Sequence, residues 1–263
     1  MVDHEPLYHP LNRPFSLNGR AFVVSGASSG IGRAMTGFLI HAGAQVIGIA
    51  RRQPELESLE AEYNGSKPSF FSLCADLGDR SAMTAVASQC MEACGRVDGV
   101  INAAGVNLRE PAEEVSFDSW DRTLNLNLSV PFFLSREFVP GMKKNGYGRI
   151  INIASLQSSR AFPNGLAYGA SKGGVCQLTR AMAEAWSRYG ITCNAIAPGF
   201  FPTDLTAPVF SDPKQAQWVK NRALLRRHGK LEDLYGVTIF FASAASSFIT
   251  GQTLYVDGGF TAH

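Results

Sequence analysis

What this chain does without narrows its class before any motif is read. No apolar run reaches the roughly 18 residues that a membrane-crossing helix needs. The opening stretch, MVDHEPLYHPLNRPF, has neither the basic start nor the apolar core of a secretory signal. Residues 1–16 are therefore expected to form an arm ahead of the folded chain. Charged residues make up only 17%, and 24 basic against 22 acidic side chains leave a net charge of +2. That is too little to imply nucleic acid or a membrane as partner. The one basic cluster, Arg226, Arg227, His228 and Lys230, is short enough to be a solvated surface. The five cysteines are odd in number and form no Cys-x-x-Cys pair. Cys90 and Cys94 stand on a predicted helix with no histidines at ligand spacing. All five read as reduced and structural, which suits a cytoplasmic protein, and no metal site is expected. Solenoid repeats, low-complexity tracts and Pro/Gly/Ser-rich linkers are also missing. Residues 17–263 thus read as one domain.

What is present is an alternation of short β-branched runs and longer helical stretches. Strands are expected at 21–26, 45–50, 69–76, 97–105, 148–155, 191–199 and 252–259. Helices are expected at 31–42, 54–63, 80–94, 117–144, 168–189 and 231–242. Parallel strands need crossover helices, so this order predicts an α/β fold: a doubly wound, Rossmann-like parallel sheet of about seven strands flanked by helices.

The first strand runs into Gly26-Ala27-Ser28-Ser29-Gly30-Ile31-Gly32. Glycines there permit a tight turn and close backbone approach, and the following helix offers free N–H groups and a positive dipole end to a pyrophosphate. The spacing is G-x-x-x-G-x-G rather than the commoner G-x-G-x-x-G, and a purely structural turn would also explain it. At the end of the second strand, where NAD-binding folds place a carboxylate for the ribose, stand Ala50, Arg51 and Arg52. A guanidinium suits the 2′-phosphate of NADP, so NADP is preferred and NAD left possible. A surface arginine pair is the plainer alternative.

Tyr168 and Lys172 open a predicted helix four residues apart, which puts both on one face. A phenol titrates near 10, too high for proton exchange at neutral pH, and an adjacent ammonium is expected to lower that value. Ser155 closes the strand thirteen residues earlier.

Taken together, the glycine turn, Asn102-Ala103-Ala104-Gly105, Asn127, Ser155, Tyr168/Lys172 and Pro198-Gly199 resemble the short-chain dehydrogenase/reductase family from about Leu17 to Phe260. The resemblance implies an NAD(P)-dependent oxidoreductase that interconverts a secondary alcohol and a ketone. It implies that Gly26, Ser28, Ser29, Gly30, Ile31 and Gly32 hold the pyrophosphate. Asp76 and Leu77 would contact adenine. Asn102, Ala103 and Gly105 would line the adenosine ribose and steady the sheet. Asn127 would hold a backbone kink and a relay water, Ser155 the substrate oxygen, and Tyr168 would be the general acid/base. Lys172 would bind the nicotinamide ribose, and Pro198, Gly199, Phe201 and Thr203 would close over the cofactor. In reduction, the ketone oxygen would sit between Ser155 and Tyr168 and receive the phenolic proton. A homotetramer is also implied, paired through the helices around Asn127 and Tyr168 and through the C-terminal strand.

Substrate choice in this fold lies at about 200–228. Phe200, Phe201, Phe210 and Trp218 stand there beside Arg222, Arg226 and Arg227. These aromatics would either cover a small substrate or simply pack a lid. The stretch PGFFPTDLT to HGK is similar to the gluconate 5-dehydrogenase-like branch of sugar-acid and polyol dehydrogenases. LLRRHGK and LQSSRAFPNGLAYG depart from that branch near the expected substrate mouth. Other readings stay open: a β-ketoacyl, steroid or xenobiotic carbonyl reductase, and a silent dinucleotide-binding regulator. A metal-dependent alcohol dehydrogenase is disfavoured by the missing Cys/His ligands.

Overall fold

The computed structural model describes residues 14–63, 65 and 69–262. Most of the expected N-terminal arm, residues 1–13, lies outside the described residues. The strands are β1 (Ala21–Ser25), β2 (Gln45–Ala50), β3 (Phe70–Cys74), β4 (Gly99–Asn102), β5 (Gly148–Ile153), β6 (Ile191–Pro198) and β7 (Thr253–Val256). They form one sheet in the order β3-β2-β1-β4-β5-β6-β7, parallel throughout. The helices are α1 (Gly30–His41), α2 (Gln53–Tyr63), α3 (Met83–Cys94), α4 (Phe117–Leu124), α5 (Val130–Asn145), α6 (Leu166–Trp186), α7 (Ala207–Phe210), α8 (Pro213–Arg222) and α9 (Tyr235–Ala242).

The continuous apolar run of β1 follows from burial on both faces. Phe22 and Val24 enter a core shared with Met35 and Leu39 of α1 and Phe241 of α9. Val23, between them, enters a second core with Val86 of α3, Leu134 of α5 and Met182 of α6. The strand order reverses between β1 and β4, where the crossovers part to opposite faces. In parallel sheets of this kind the crevice beyond the strands' carboxyl ends is the binding position. Ser25, Asn102, Asn152 and Ala195 lie in one register row across that edge. The residues just beyond the row therefore face one cleft.

Two departures from the sequence reading have local causes. The helix expected at 117–144 is two helices, α4 and α5, joined by one wide turn at Asn125–Ser129. Pro131 lacks the N–H that would bond the carbonyl of residue 127, and the Asn127 side chain is engaged elsewhere, as described below. The tyrosine-bearing helix begins at Leu166, two residues earlier than expected, with Gly165 as its cap. The stretches 80–82 and 231–234 are tight 3-10 turns leading into α3 and α9 rather than full helix.

Candidate active site

The cleft at the carboxyl edge has a volume of about 410 Å³, within the usual range for a small-molecule or cofactor site. Every residue expected to touch a cofactor lines it, except Asn102.

Its floor begins at the glycine turn. Gly26 has φ +72°, and a Cβ there would stand 2.8 Å from the Ala104 nitrogen. A Cβ on Gly32 would stand 2.2 Å from the Gly26 carbonyl oxygen. The turn is thus closed by backbone against backbone, and only hydrogen fits. Ser29 precedes α1 without a side-chain cap, and no acidic residue occupies the first turn. The first-turn N–H groups of a twelve-residue helix are left for a ligand, with the dipole favouring an anion. The Ser25 hydroxyl accepts from the N–H groups of Ala103 and Ala104 at 3.1 and 3.2 Å, fastening the neighbouring loop to β1. Sequence reading passed over Ser25; its signal was a hydroxyl at a strand end just before the glycine turn.

The two arginines divide. Arg52 donates to the hydroxyls of Ser29 at 2.5 Å and Ser28 at 3.2 Å, and pairs with Asp204 at 3.3 Å. Arg51 pairs with Asp76 at 3.7 Å, and Asp76 also accepts from the Gly78 N–H at 2.9 Å. The guanidinium nearest the glycine turn is therefore that of Arg52.

Asn102 stands apart from the other expected residues. Its amide nitrogen donates to the Pro131 carbonyl, the Ser135 hydroxyl and the Asn152 side chain at 3.3, 3.0 and 2.8 Å. The side chain is not among those lining the cleft and ties β4 to β5 and α5. Ala103 and Gly105 do line the cleft.

At the other end, Ser155, Tyr168 and Lys172 converge on the cleft. Ser155 leaves β5 extended and accepts from the Gln157 N–H at 3.1 Å. Lys172 is 5% exposed, and its ammonium donates to the Ile153 carbonyl at 2.5 Å. Burial lowers its pKa to about 8. The ammonium lies 5.7 Å from the centre of the Tyr168 ring.

The expected depression of the tyrosine pKa is not found in the chain alone. Burial pushes the Tyr168 phenol up, and the pull of the Ser155 hydroxyl and the Arg109 cation only partly offsets it. Desolvation of the phenolate dominates because the ring is almost fully enclosed. Arg109, missed in the sequence, also lines the cleft and donates to the Leu205 carbonyl at 3.2 Å. Its φ of +56° is unusual for a side-chain-bearing residue. The single basic residue in the loop after a central strand, among three glutamates, was the available signal.

Asn127 sits behind these groups, 1% exposed. Its carboxamide accepts from the Val106 N–H at 2.8 Å and donates to the Val106 carbonyl at 2.9 Å and the Ser171 hydroxyl at 3.0 Å. The kink that the resemblance implied is present, and the side chain joins the β4 loop to α6.

Pro198, Gly199, Phe201 and Thr203 bring the lid across. A Cβ on Gly30 would meet Thr203 at 3.3 Å. Of the lid aromatics, Phe200 and Phe201 line the cleft, whereas Phe210 packs edge-on against His228. Trp218 packs against Phe260, with the Arg222 guanidinium near both rings. The basic run closes on itself through Arg227 and Asp233, paired at 2.6 and 2.9 Å. Beside Arg51, Arg52 and Lys172, the further cation that lines the cleft is Arg109 rather than an arginine of the lid.

The buried Lys172 makes a stability prediction. Its folded pKa of about 8 lies below the ordinary 10.5, so the folded chain binds fewer protons than the unfolded one between those values. Stability contributed here rises with pH across that window, and below about pH 8 the full cost of the buried ammonium is present. Lys172→Met is expected to raise Tm by a few degrees near pH 7, equivalent to on the order of 1–3 kcal/mol. The advantage should shrink above pH 10. Melting curves at both pH values check this, and a variant less stable than wild type at pH 7 contradicts it.

Among the described residues no helix is long and apolar enough to cross a membrane, and no cluster of His, Cys, Asp and Glu could hold a metal. All five cysteines are free. Burial pushes the Cys90 thiol up to about 12, and Cys193 is likewise raised.

A family described as enoyl-(acyl carrier protein) reductase matches residues 26–261. The gluconate 5-dehydrogenase of Gluconobacter oxydans (strain 621H) is 36% identical, covering 94% of this chain and 96% of that protein. The 2-dehydro-3-deoxy-D-gluconate 5-dehydrogenase of Bacillus subtilis (strain 168) is 37% identical, covering 95% and 97%. Among solved structures, a gluconate 5-dehydrogenase from Burkholderia cenocepacia J2315, in complex with NADP and tartrate, superposes with a TM-score of 0.91 at 33% identity. That match covers 96% of this chain and 99% of the other.

Proposed function

The chain belongs to the short-chain dehydrogenase/reductase family, and from that premise we propose that it interconverts a secondary alcohol and a ketone on a sugar acid, with NADP as the preferred cofactor. The enzyme class follows from the family; the substrate class rests on Arg109. A cation beside the Tyr168 phenol, in a cleft whose other walls carry Phe162, Phe200 and Leu205, suits a substrate with a carboxylate as well as a carbonyl. The relatives named for gluconate and its deoxy analogue point the same way.

The cleft fits a dinucleotide phosphate by its own construction. Gly26 and Gly32 leave room that any Cβ would fill. The uncapped start of α1 suits the pyrophosphate, and Arg52 with Ser28 and Ser29 suits a 2′-phosphate. Asp76, Leu77, Ala103 and Gly105 would border the adenosine, and Thr203 the far side. When bound, the nicotinamide supplies or accepts the hydride.

The chain's own residues manage orientation and the proton. Ser155 holds the substrate oxygen, and Tyr168 gives its phenolic proton to that oxygen in reduction or takes it back in oxidation. Because burial holds the phenol protonated, the chain alone is set as a proton donor. The Lys172 ammonium, 5.7 Å from the ring centre, favours the phenolate once the proton has left and so makes its departure reversible. Asn127 keeps the β4 loop, and with it Arg109, at a constant distance from α6. A homotetramer and a cytoplasmic location belong to the same reading. Exposed Phe117, Phe248 and Leu254 support the first, and the free thiols support the second.

The test follows nicotinamide absorbance with 5-keto-D-gluconate plus NADPH or NADH, and with D-gluconate plus NADP⁺ or NAD⁺. Turnover with the phosphorylated cofactor is expected to exceed that with the other. Arg109→Met should raise the KM for these acids by about tenfold to a hundredfold. Full activity on neutral ketones and none on sugar acids would overturn the substrate assignment.

A further inference from the structure

The geometry points to Gln157 as the side chain that reads the hydroxyl groups of the substrate, an inference that rests on the sugar-acid reading and extends it. Among the described residues, six buried side-chain polar atoms have no hydrogen-bond partner: Asn102 Oδ1, Asn107 Oδ1, Thr123 Oγ1, Gln157 Oε1, Thr192 Oγ1 and Thr253 Oγ1. An unpaired buried acceptor costs free energy, so each needs an account.

Of the other five, three lie outside the cleft lining and two border a void of their own. Asn102 is held by three bonds through its other amide atom. Thr192 and Thr253 lie on β6 and β7, away from the cleft. Asn107 and Thr123 border the same small void beside Tyr168. With about 10 Å³ of room it is the size of one water, whose hydrogen bonds would serve both. Asn107 lines the large cleft as well, but Gln157 lines it without bordering any such void, so no water-sized void accounts for its oxygen.

Its placement is built in two ways. The main chain of Gln157 is tied to the catalytic end of the cleft, because its N–H donates to the Ser155 hydroxyl oxygen at 3.1 Å. Its carboxamide rests over Gly165, the cap of α6, where a Cβ would stand 2.3 Å from Oε1. Room for the amide therefore depends on a missing side chain at the foot of the helix that carries Tyr168. The terminal torsion of a glutamine is soft, and turning it swings the oxygen from Gly165 into the cleft. Ser155 holds the reacting oxygen, so a carboxamide two residues on meets the carbon beside it. A carboxamide both donates and accepts, as a hydroxyl does. It suits the polyhydroxy part of the substrate, while the carboxylate is left to Arg109.

The experiment compares two keto acids with NADPH. In 5-keto-D-gluconate the carbonyl is flanked by hydroxyl-bearing carbons; 5-oxohexanoate has the same carbonyl and carboxylate positions without hydroxyls. The ratio of their kcat/KM values reads hydroxyl recognition alone. In Gln157→Met that ratio is expected to fall about thirtyfold, chiefly through KM. Its Tm should not fall, since an unpaired buried acceptor is removed. Gly165→Ala, whose backbone φ of −118° accepts a Cβ, displaces the amide and should lower the ratio in the same direction. A ratio within twofold of wild type in Gln157→Met overturns the assignment and leaves the sugar-acid reading intact. A wild-type enzyme that prefers 5-oxohexanoate, or turns over neither acid, overturns that reading and the role of Gln157 with it.

Discussion

Replacing Tyr168 with phenylalanine is expected to lower kcat by about a thousandfold or more while NADPH binding stays near its wild-type strength. The substitution removes one oxygen from a ring that is 8% exposed, so the packing of α6 is kept. What disappears is the only proton held at the substrate oxygen besides that of Ser155. Ser155 cannot replace it, because an alcohol is a far weaker acid than a phenol. Lys172 stands behind the phenol: its ammonium donates to the Ile153 carbonyl at 2.5 Å and lies 5.7 Å from the Tyr168 ring centre. Initial rates with 5-keto-D-gluconate, beside a fluorescence titration with NADPH, separate chemistry from binding. Activity within tenfold of wild type would remove Tyr168 from the role of acid and base.

The second large effect concerns cofactor choice. In an Arg51→Ala/Arg52→Ala double variant the KM for NADPH is expected to rise by about two to three orders of magnitude, with a far smaller change for NADH. A charge-assisted hydrogen bond to a phosphate contributes about 1.5–3 kcal/mol, and two guanidinium groups would act together. The single Arg52→Ala change should account for most of the loss. Arg52 is already aligned over Ser28 and Ser29, whereas Arg51 is drawn toward Asp76. Both side chains are about half exposed, so salt should weaken NADPH binding in the wild type and much less in the double variant. A wild-type preference for NADH would falsify the assignment of these arginines.

The fold was legible because the inner strands β1, β2, β4, β5 and β6 are buried on both faces and the helices packed on them carry apolar stripes. Both properties are local and periodic. The glycine turn and the Tyr168/Lys172 pair were legible for a similar reason: their chemistry depends on short spacings. Three features were not. The break at Asn125–Ser129 depends on a contact between Asn127 and Val106, 21 residues away, and Pro131 alone did not announce it. The tyrosine pKa depends on how completely the ring is enclosed, which no spacing reports. Arg109 acquires its place from a backbone at φ +56° and a contact with the lid at Leu205, 96 residues on. Arg51 and Arg52 were legible as a pair, but which lies over the turn depends on acids at 76 and 204.

The bond between Asn127 and Val106 resembles a base pair in its logic. One carboxamide meets one peptide unit, donor to acceptor and acceptor to donor. Since only main-chain atoms are recognised on the loop side, the side chain at position 106 is free to vary in evolution without loosening the anchor. Position 127 has no such freedom: aspartate would offer two acceptors where one donor is needed, and glutamine would overshoot. With this pairing the residues after 106 can be remodelled while the helix behind them, held through Ser171, stays where it is.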